Sequence, residues 1–298
     1  MNQDPVRQIC NEFAGLPLAR ALPTHGGVSE VEFRKEALPR LRTVLLQLLK
    51  VSILLVFPPF AALAADLTPP AFDQAAHERC LQSPERAHER RRPHAETLLR
   101  TYQDSPARDV PAQVPQLFER IVKAAGSTLK VKPRLAGYAN KNRTAFVTAN
   151  GVVFLSDTAW RGSAPWADDE VAAVFAHEIA HLVQEDSARR ICEFAAMMAF
   201  SPNDPIAVEA ELHSRVGGGD RDLGIEMFRR NHAREYAADA LGLELLVKAG
   251  FPAEAMARML FKLMHLGAGP SGTHPDPFDR VQNAHRLAAA RSTAQNPR

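Results

Sequence analysis

Apolar positions recur at helical spacing through residues 114–125, with Leu117, Ile121 and Val122 on one side and Gly126 as a stop. Short apolar runs with polar breaks then take over. Residues 131–138, residues 145–148 and Val152–Ser156 read as strands, and Asn150-Gly151 is a hairpin turn signal between the last two. After a loop holding Trp160 and Trp166, Asp168 and Asp169 offer an N-cap to a long helix over about 170–199. Pro202 and Pro205 end it, and residues 201–224, with Gly217-Gly218-Gly219, read as a flexible loop. A second long helix covers about 223–249 with Gly250 as its stop, and a third covers 253–266. Residues 267–277 read as loop, and a short helix follows. Helix, small sheet, then mostly helices is an α+β order.

The N-terminal part follows another pattern. Residues 43–65 read TVLLQLLKVSILLVFPPFAALAA, with Lys50 the sole charge and Arg34, Lys35, Arg40 and Arg42 just ahead. The run closes on Ala62-Leu63-Ala64 before Asp66, with Pro58 and Pro59 at the break. This is the layout of a cleavable secretory signal peptide. An uncleaved membrane anchor also fits the length, and a buried core helix is a third reading. Residues 1–33 make an unusually long flank, either an over-extended reading frame or a cytoplasmic tail. The positive flank places the bulk of the chain across the membrane. The expectation is therefore a periplasmic or otherwise exported protein, or an inner-membrane anchored one facing away from the cytoplasm. Residues 66–110 are charged, and ERAHERRRPH at 85–94 reads as a solvated helix or linker. Three segments result: 1–65 as extension plus signal peptide or anchor, 66–110 as linker, and 111–298 as the main domain.

Composition changes this picture little. Of 298 residues, 46% are hydrophobic and 23% charged, a globular balance that can supply a core without staples. A net charge of +2 with mixed signs, and no basic stripe among aromatics, argues against a nucleic-acid partner. Cys10 lies ahead of the signal-like run, so Cys80 and Cys192 remain, as a disulfide or as buried thiols. No Cys-x-x-Cys is present, so a thiolate zinc site is unsupported.

The chemistry concentrates in His177-Glu178-Ile179-Ala180-His181. Two histidines four apart project from one helix face and can share a zinc ion, while Glu178 can reach the water position. Val171, Val174, Phe175, Ile179, Leu182 and Val183 make the flanks apolar, so buried polar groups here need a partner. A third histidine six residues after His181 is excluded, because position 187 is Ser. Glu235-Tyr236-Ala237-Ala238-Asp239 offers a glutamate instead, with Asp239 one turn on to hold a ligand imidazole. The plain alternative for Glu235 is a surface ion pair with Arg234.

HEIAH, EYAAD with Gly242 three residues on, LVKAGFP at 246–252 and THPDPFDR at 273–280 together resemble the HtpX and CAAX-prenyl-protease family of zinc peptidases. The resemblance covers about 110–290 and is nearest to the family's soluble, exported members, without room after His285 for a helical repeat domain. It implies a gluzincin-type fold with a small sheet ahead of the active-site helix. It implies one Zn2+ per chain on His177, His181 and Glu235, with Glu178 as general base and Asp239 behind a ligand. His274 and Arg280 match the family's His-Pro-x-x-x-x-Arg, which implies active-site roles. His274 either supports the oxyanion or latches the open zinc position, and Arg280 holds a carboxylate or the loop; by itself, His274 before proline reads as a turn residue. Val152, Val153, Phe154, Leu155 and Ser156 resemble the family's edge strand, on which an extended substrate would add. Two positions depart from the family: Thr144 precedes Ala145-Phe146, and Glu185-Asp186 follow the zinc helix; neither is expected to touch the ligands.

The function expected is a zinc metalloendopeptidase that hydrolyses unfolded or misassembled envelope proteins, with envelope assembly machinery as a partner. An uncleaved 43–65 segment would add membrane association. The rival is a zinc-latched chaperone or assembly factor with little proteolysis.

Overall fold

The computed structural model describes residues 72–83, 91–93, 95–100, 110–139, 144–161, 165–198, 205–266 and 271–295. The signal-like segment 43–65 and Cys10 lie outside them. In chain order come α1 (Gln74–Leu81), α2 (Gln113–Ala125), a 3-10 turn (Gly126–Thr128), β1 (Arg134–Tyr138), β2 (Ala145–Val147) and β3 (Val152–Ser156). Then follow α3 (Thr158–Arg161), α4 (Asp168–Gln184), α5 (Asp186–Met197), α6 (Pro205–Gly217), α7 (Arg221–Lys248), α8 (Glu254–His265) and α9 (Pro277–Gln295). This is the α+β order expected. No helix among the described residues is long and apolar enough to cross a membrane.

The sheet has the order β1-β3-β2, with β1 parallel and β2 antiparallel to β3. The Asn150-Gly151 turn joins β2 to β3 as its sequence indicates. Gly151 sits at φ 88, and a side chain there would meet the Lys132 carbonyl at 3.0 Å. The topology corrects one expectation. Val152–Ser156 is not an edge strand: Arg134 to Tyr138 pair along one side and Ala145 to Val147 along the other. All five of its residues are buried. A central strand has its backbone groups committed to two neighbours, so it cannot accept a third. Among the described residues, β2 is the sheet edge on the α4 side.

The long helix expected over 170–199 is two helices. α4 ends at Gln184, Glu185 adopts the left-handed conformation at φ 56, and α5 starts at Asp186. Asp168 and Asp169 lie in the first turn of α4 rather than capping it; the Glu170 carboxylate reaches back to the Ala167 N–H at 2.8 Å. The loop expected over 201–224 contains α6, and the last helix runs 19 residues.

α4 is the axis of the core. Val171 to Ala180 are buried without interruption, packed against α2, α7 and α8. Phe118 of α2 meets Phe175 edge-on at 5.3 Å. α7 comes close because position 242 is glycine: a Cβ there would lie 3.0 Å from Met256 Cε and 3.1 Å from the Ala176 backbone.

Described residues ahead of position 110 are fastened to this body. Cys80 of α1 and Cys192 of α5 form a disulfide. Arg91, together with Arg190 at 2.5 Å, ion-pairs with Glu209 of α6. Phe72 packs on a second apolar cluster, made by Ile191, Phe194, Met197, Val208, Leu212 and Met227 with their neighbours.

Candidate metal centre

The two histidines of α4 share a face, with their Nε2 atoms 3.1 Å apart. Glu235 of α7 meets both: Oε2 lies 3.4 Å from His177 Nε2, and Oε1 lies 3.5 Å from His181 Nε2. These three residues offer ligand atoms all within 4.8 Å of one another. Glu178 points from the same helix and is buried.

Each imidazole has a carboxylate on its far nitrogen. His177 Nδ1 lies 3.0 Å from Asp239 Oδ1, and His181 Nδ1 lies 2.7 Å from Asp186 Oδ2. A neutral imidazole that donates from Nδ1 has only a lone pair at Nε2. Two lone pairs and a carboxylate therefore converge on one point. Glu235 Oε2 is buried, with His177 Nε2 at 3.4 Å and the Arg280 guanidinium at 3.2 Å as its polar neighbours. A largely buried His-His-Glu set of this kind could hold a divalent metal, with the Arg280 guanidinium as the second cation beside Glu235.

Without the ion, protons take part of that role. Burial pushes His177 and His181 down, but the carboxylates of Asp239, Asp186 and Glu235 prevail and raise both. Burial pushes Glu235 up, and the charge of His274 with the hydrogen bonds of His177 and His181 holds it well below the usual carboxylate range. A metal entering here displaces protons.

Arg280 of α9 is 5% exposed and binds Asp239 with both arms, Nε to Oδ2 at 2.8 Å and Nη2 to Oδ1 at 2.7 Å. This fork holds the carboxylate that orients His177 and brings α9 to α7. His274 stands at the mouth, about half exposed, with Nε2 3.8 Å from Glu235 Oε1.

So the structure brings together His177, Glu178, His181, Glu235, Asp239, His274 and Arg280. It leaves β3 behind them as buried sheet. It also corrects the reading of Asp186, which does touch a ligand. In a continuous helix a residue five positions on is turned by about 140° from the first. The left-handed break at Glu185 swings Asp186 back onto His181, and Lys130 holds Glu185 at 2.8 Å. A carboxylate five residues past the second histidine is the sequence signal; the break that makes it effective sits at a non-glycine residue and leaves no mark.

Comparison with known proteins gives the family. Peptidase family M48 matches residues 110–288, more than half of the chain. A relative named "Putative beta-barrel assembly-enhancing protease" from Vibrio cholerae serotype O1 is 30% identical over 166 residues, 50% of this chain and 33% of that protein. A "Beta-barrel assembly-enhancing protease" from Yersinia pestis is 27% identical over 211 residues, 61% of this chain and 42% of that one. The chain thus spans less than half the length of these relatives. It belongs to peptidase family M48.

Proposed function

We propose that this M48 peptidase is a zinc-dependent endopeptidase of the cell envelope that cuts unfolded or misassembled proteins. The observation that carries the reading is the convergence of His177, His181 and Glu235 beside Glu178 on a buried helix. Zinc bound there would lower the pKa of water and polarise the scissile carbonyl. Glu178 takes the water proton and passes it to the leaving amine. Asp239 and Asp186 keep both imidazoles in the tautomer that presents Nε2. Arg280 keeps Asp239 charged and in place. His274 supports the oxyanion from the mouth of the site. An extended substrate adds to the β2 edge rather than to β3, which reads backbone and so suits unfolded chains. The names of the two relatives, beta-barrel assembly-enhancing proteases, support a role in beta-barrel assembly, with envelope assembly machinery as partner. Export through residues 43–65 would bring the enzyme to it.

The test is Glu178→Gln. Casein cleavage falls by at least about a hundredfold while metal analysis still finds one zinc per chain. Undiminished cleavage refutes Glu178 as the base. A second reading, a zinc-latched assembly factor, has the short approach of His274 to Glu235 in its favour. His274→Ala separates the two: activity falls if His274 assists catalysis and rises if it latches the metal.

A further inference from the structure

α7 carries a polar stripe on one face. Asn231, Glu235 and Asp239 follow at four-residue spacing, and all three are buried. Glu235 and Asp239 belong to the centre already described. Asn231, one turn earlier, has its partners elsewhere. Its Nδ2 donates to the Gly272 carbonyl at 3.0 Å, and its Oδ1 accepts from Arg234 Nη1 at 2.9 Å. The Arg234 bond decides which end of the amide faces the loop. Arg234 is itself ion-paired with Glu193 of α5. His232 adds a second donor to the same loop, Nε2 to the Ser271 carbonyl at 2.9 Å.

The loop held in this way carries His274. It closes on itself: Ser271 N–H donates to the His274 carbonyl at 2.8 Å, and Ser271 Oγ accepts from His274 N–H at 3.0 Å. Thr273 Oγ1 lies 2.8 Å from His274 Nδ1, which leaves Nε2 turned to Glu235. The loop therefore has its own shape, and α7 fixes where that shape sits. Gly272 is buried, so losing Asn231 leaves an interior carbonyl unpaired and favours movement of the loop toward water.

We propose that Asn231, seconded by His232, is a positioning residue that sets how far His274 stands from the metal-binding group, and that it acts through His274 alone. The kinetic part rests on the peptidase reading above; the structural part does not.

Two measurements test it. In metal-free protein, hydrogen exchange at residues 271–274 should accelerate at least tenfold in Asn231→Ala, while α4 amides keep their protection. Asn231→Asp keeps the acceptor for Arg234 but loses the donor, and should match Asn231→Ala. In the zinc enzyme, Asn231→Ala should change kcat severalfold with KM nearly constant, and Asn231→Ala/His274→Ala should equal His274→Ala within twofold. Unchanged exchange, or an Asn231 effect that persists in full without His274, overturns the proposal. A wild type that cleaves nothing defeats the peptidase reading, and the exchange result still decides this one.

Discussion

Gly242 to Ala is the sharpest test of how the site is assembled. A methyl at position 242 would sit 3.1 Å from the carbonyl carbon and oxygen of Ala176, next to His177, and 3.0 Å from Met256 Cε. The methionine tip can move; the helix backbone cannot. Carbon atoms prefer about 3.5–4.0 Å, so α7 must retreat from α4 by roughly half an ångström. Overpacking of this kind costs about 1–3 kcal/mol. Against it stands the ordinary gain from replacing a helical glycine by alanine, about 0.8–1.0 kcal/mol. The net is a loss of up to about 2 kcal/mol. Gly224 on the same helix is the control, because a methyl there meets only Val216 Cγ1, at 3.6 Å. Gly224→Ala should raise the thermal midpoint by about 2–4 °C, and Gly242→Ala should leave it unchanged or lower it. Glu235 lies two turns before Gly242, and metal sites tolerate only about 0.2 Å of ligand error. Zinc affinity, measured by competition with a chelator, should therefore fall about tenfold in Gly242→Ala alone. Equal stabilisation by both substitutions with unchanged zinc affinity would refute the close-contact argument.

Three further outcomes follow from the same geometry. Asp186→Asn should weaken zinc binding about 10–100-fold by chelator competition, with the fold retained by circular dichroism, since an amide no longer fixes the His181 tautomer. Reducing Cys80–Cys192, which closes a separation of 112 residues, should cost about 2–4 kcal/mol in urea unfolding, and a Cys192→Ala variant should show no response to reductant. Burial pushes Glu209 up, but Arg190 and Arg91 hold its pKa below the ordinary carboxylate value. Its contribution is thus complete above about pH 4.3 and lost as pH falls through the lower folded value. The difference in thermal midpoint between wild type and Glu209→Gln should hold at neutral pH and shrink below about pH 4; a difference that grows in acid would contradict the ion pair.

The legible part of this protein is the part written in local spacing. HEIAH states its geometry in five residues, because a helix turns positions 177 and 181 to one side. Glu235 and Asp239 were legible for the same reason. The placement of β3 was not, because strand order depends on which distant segments flank it, and a fully apolar run such as VVFLS fits the middle better than an edge. α6 was hidden by its own start signal: Pro205 reads as a breaker, yet a proline is tolerated in the first turn of a helix, and Pro205 begins one. The α4–α5 break was hidden because Glu185 takes a conformation that usually selects glycine or asparagine.

That break also has a bearing on how the protein folds. His177, His181 and Asp186 lie within ten residues, so one corner of the chain assembles half of the centre by itself. Glu235, Asp239 and Arg280 arrive from helices far along the sequence, after long loops have been closed at an entropic cost. Of the three candidate ligands, two come from this corner and the third only once α7 has docked. A metal held by all three ligands would therefore tie the α4 corner to a helix about fifty residues further along the chain, so that its binding would stabilise the long-range docking and not the corner alone.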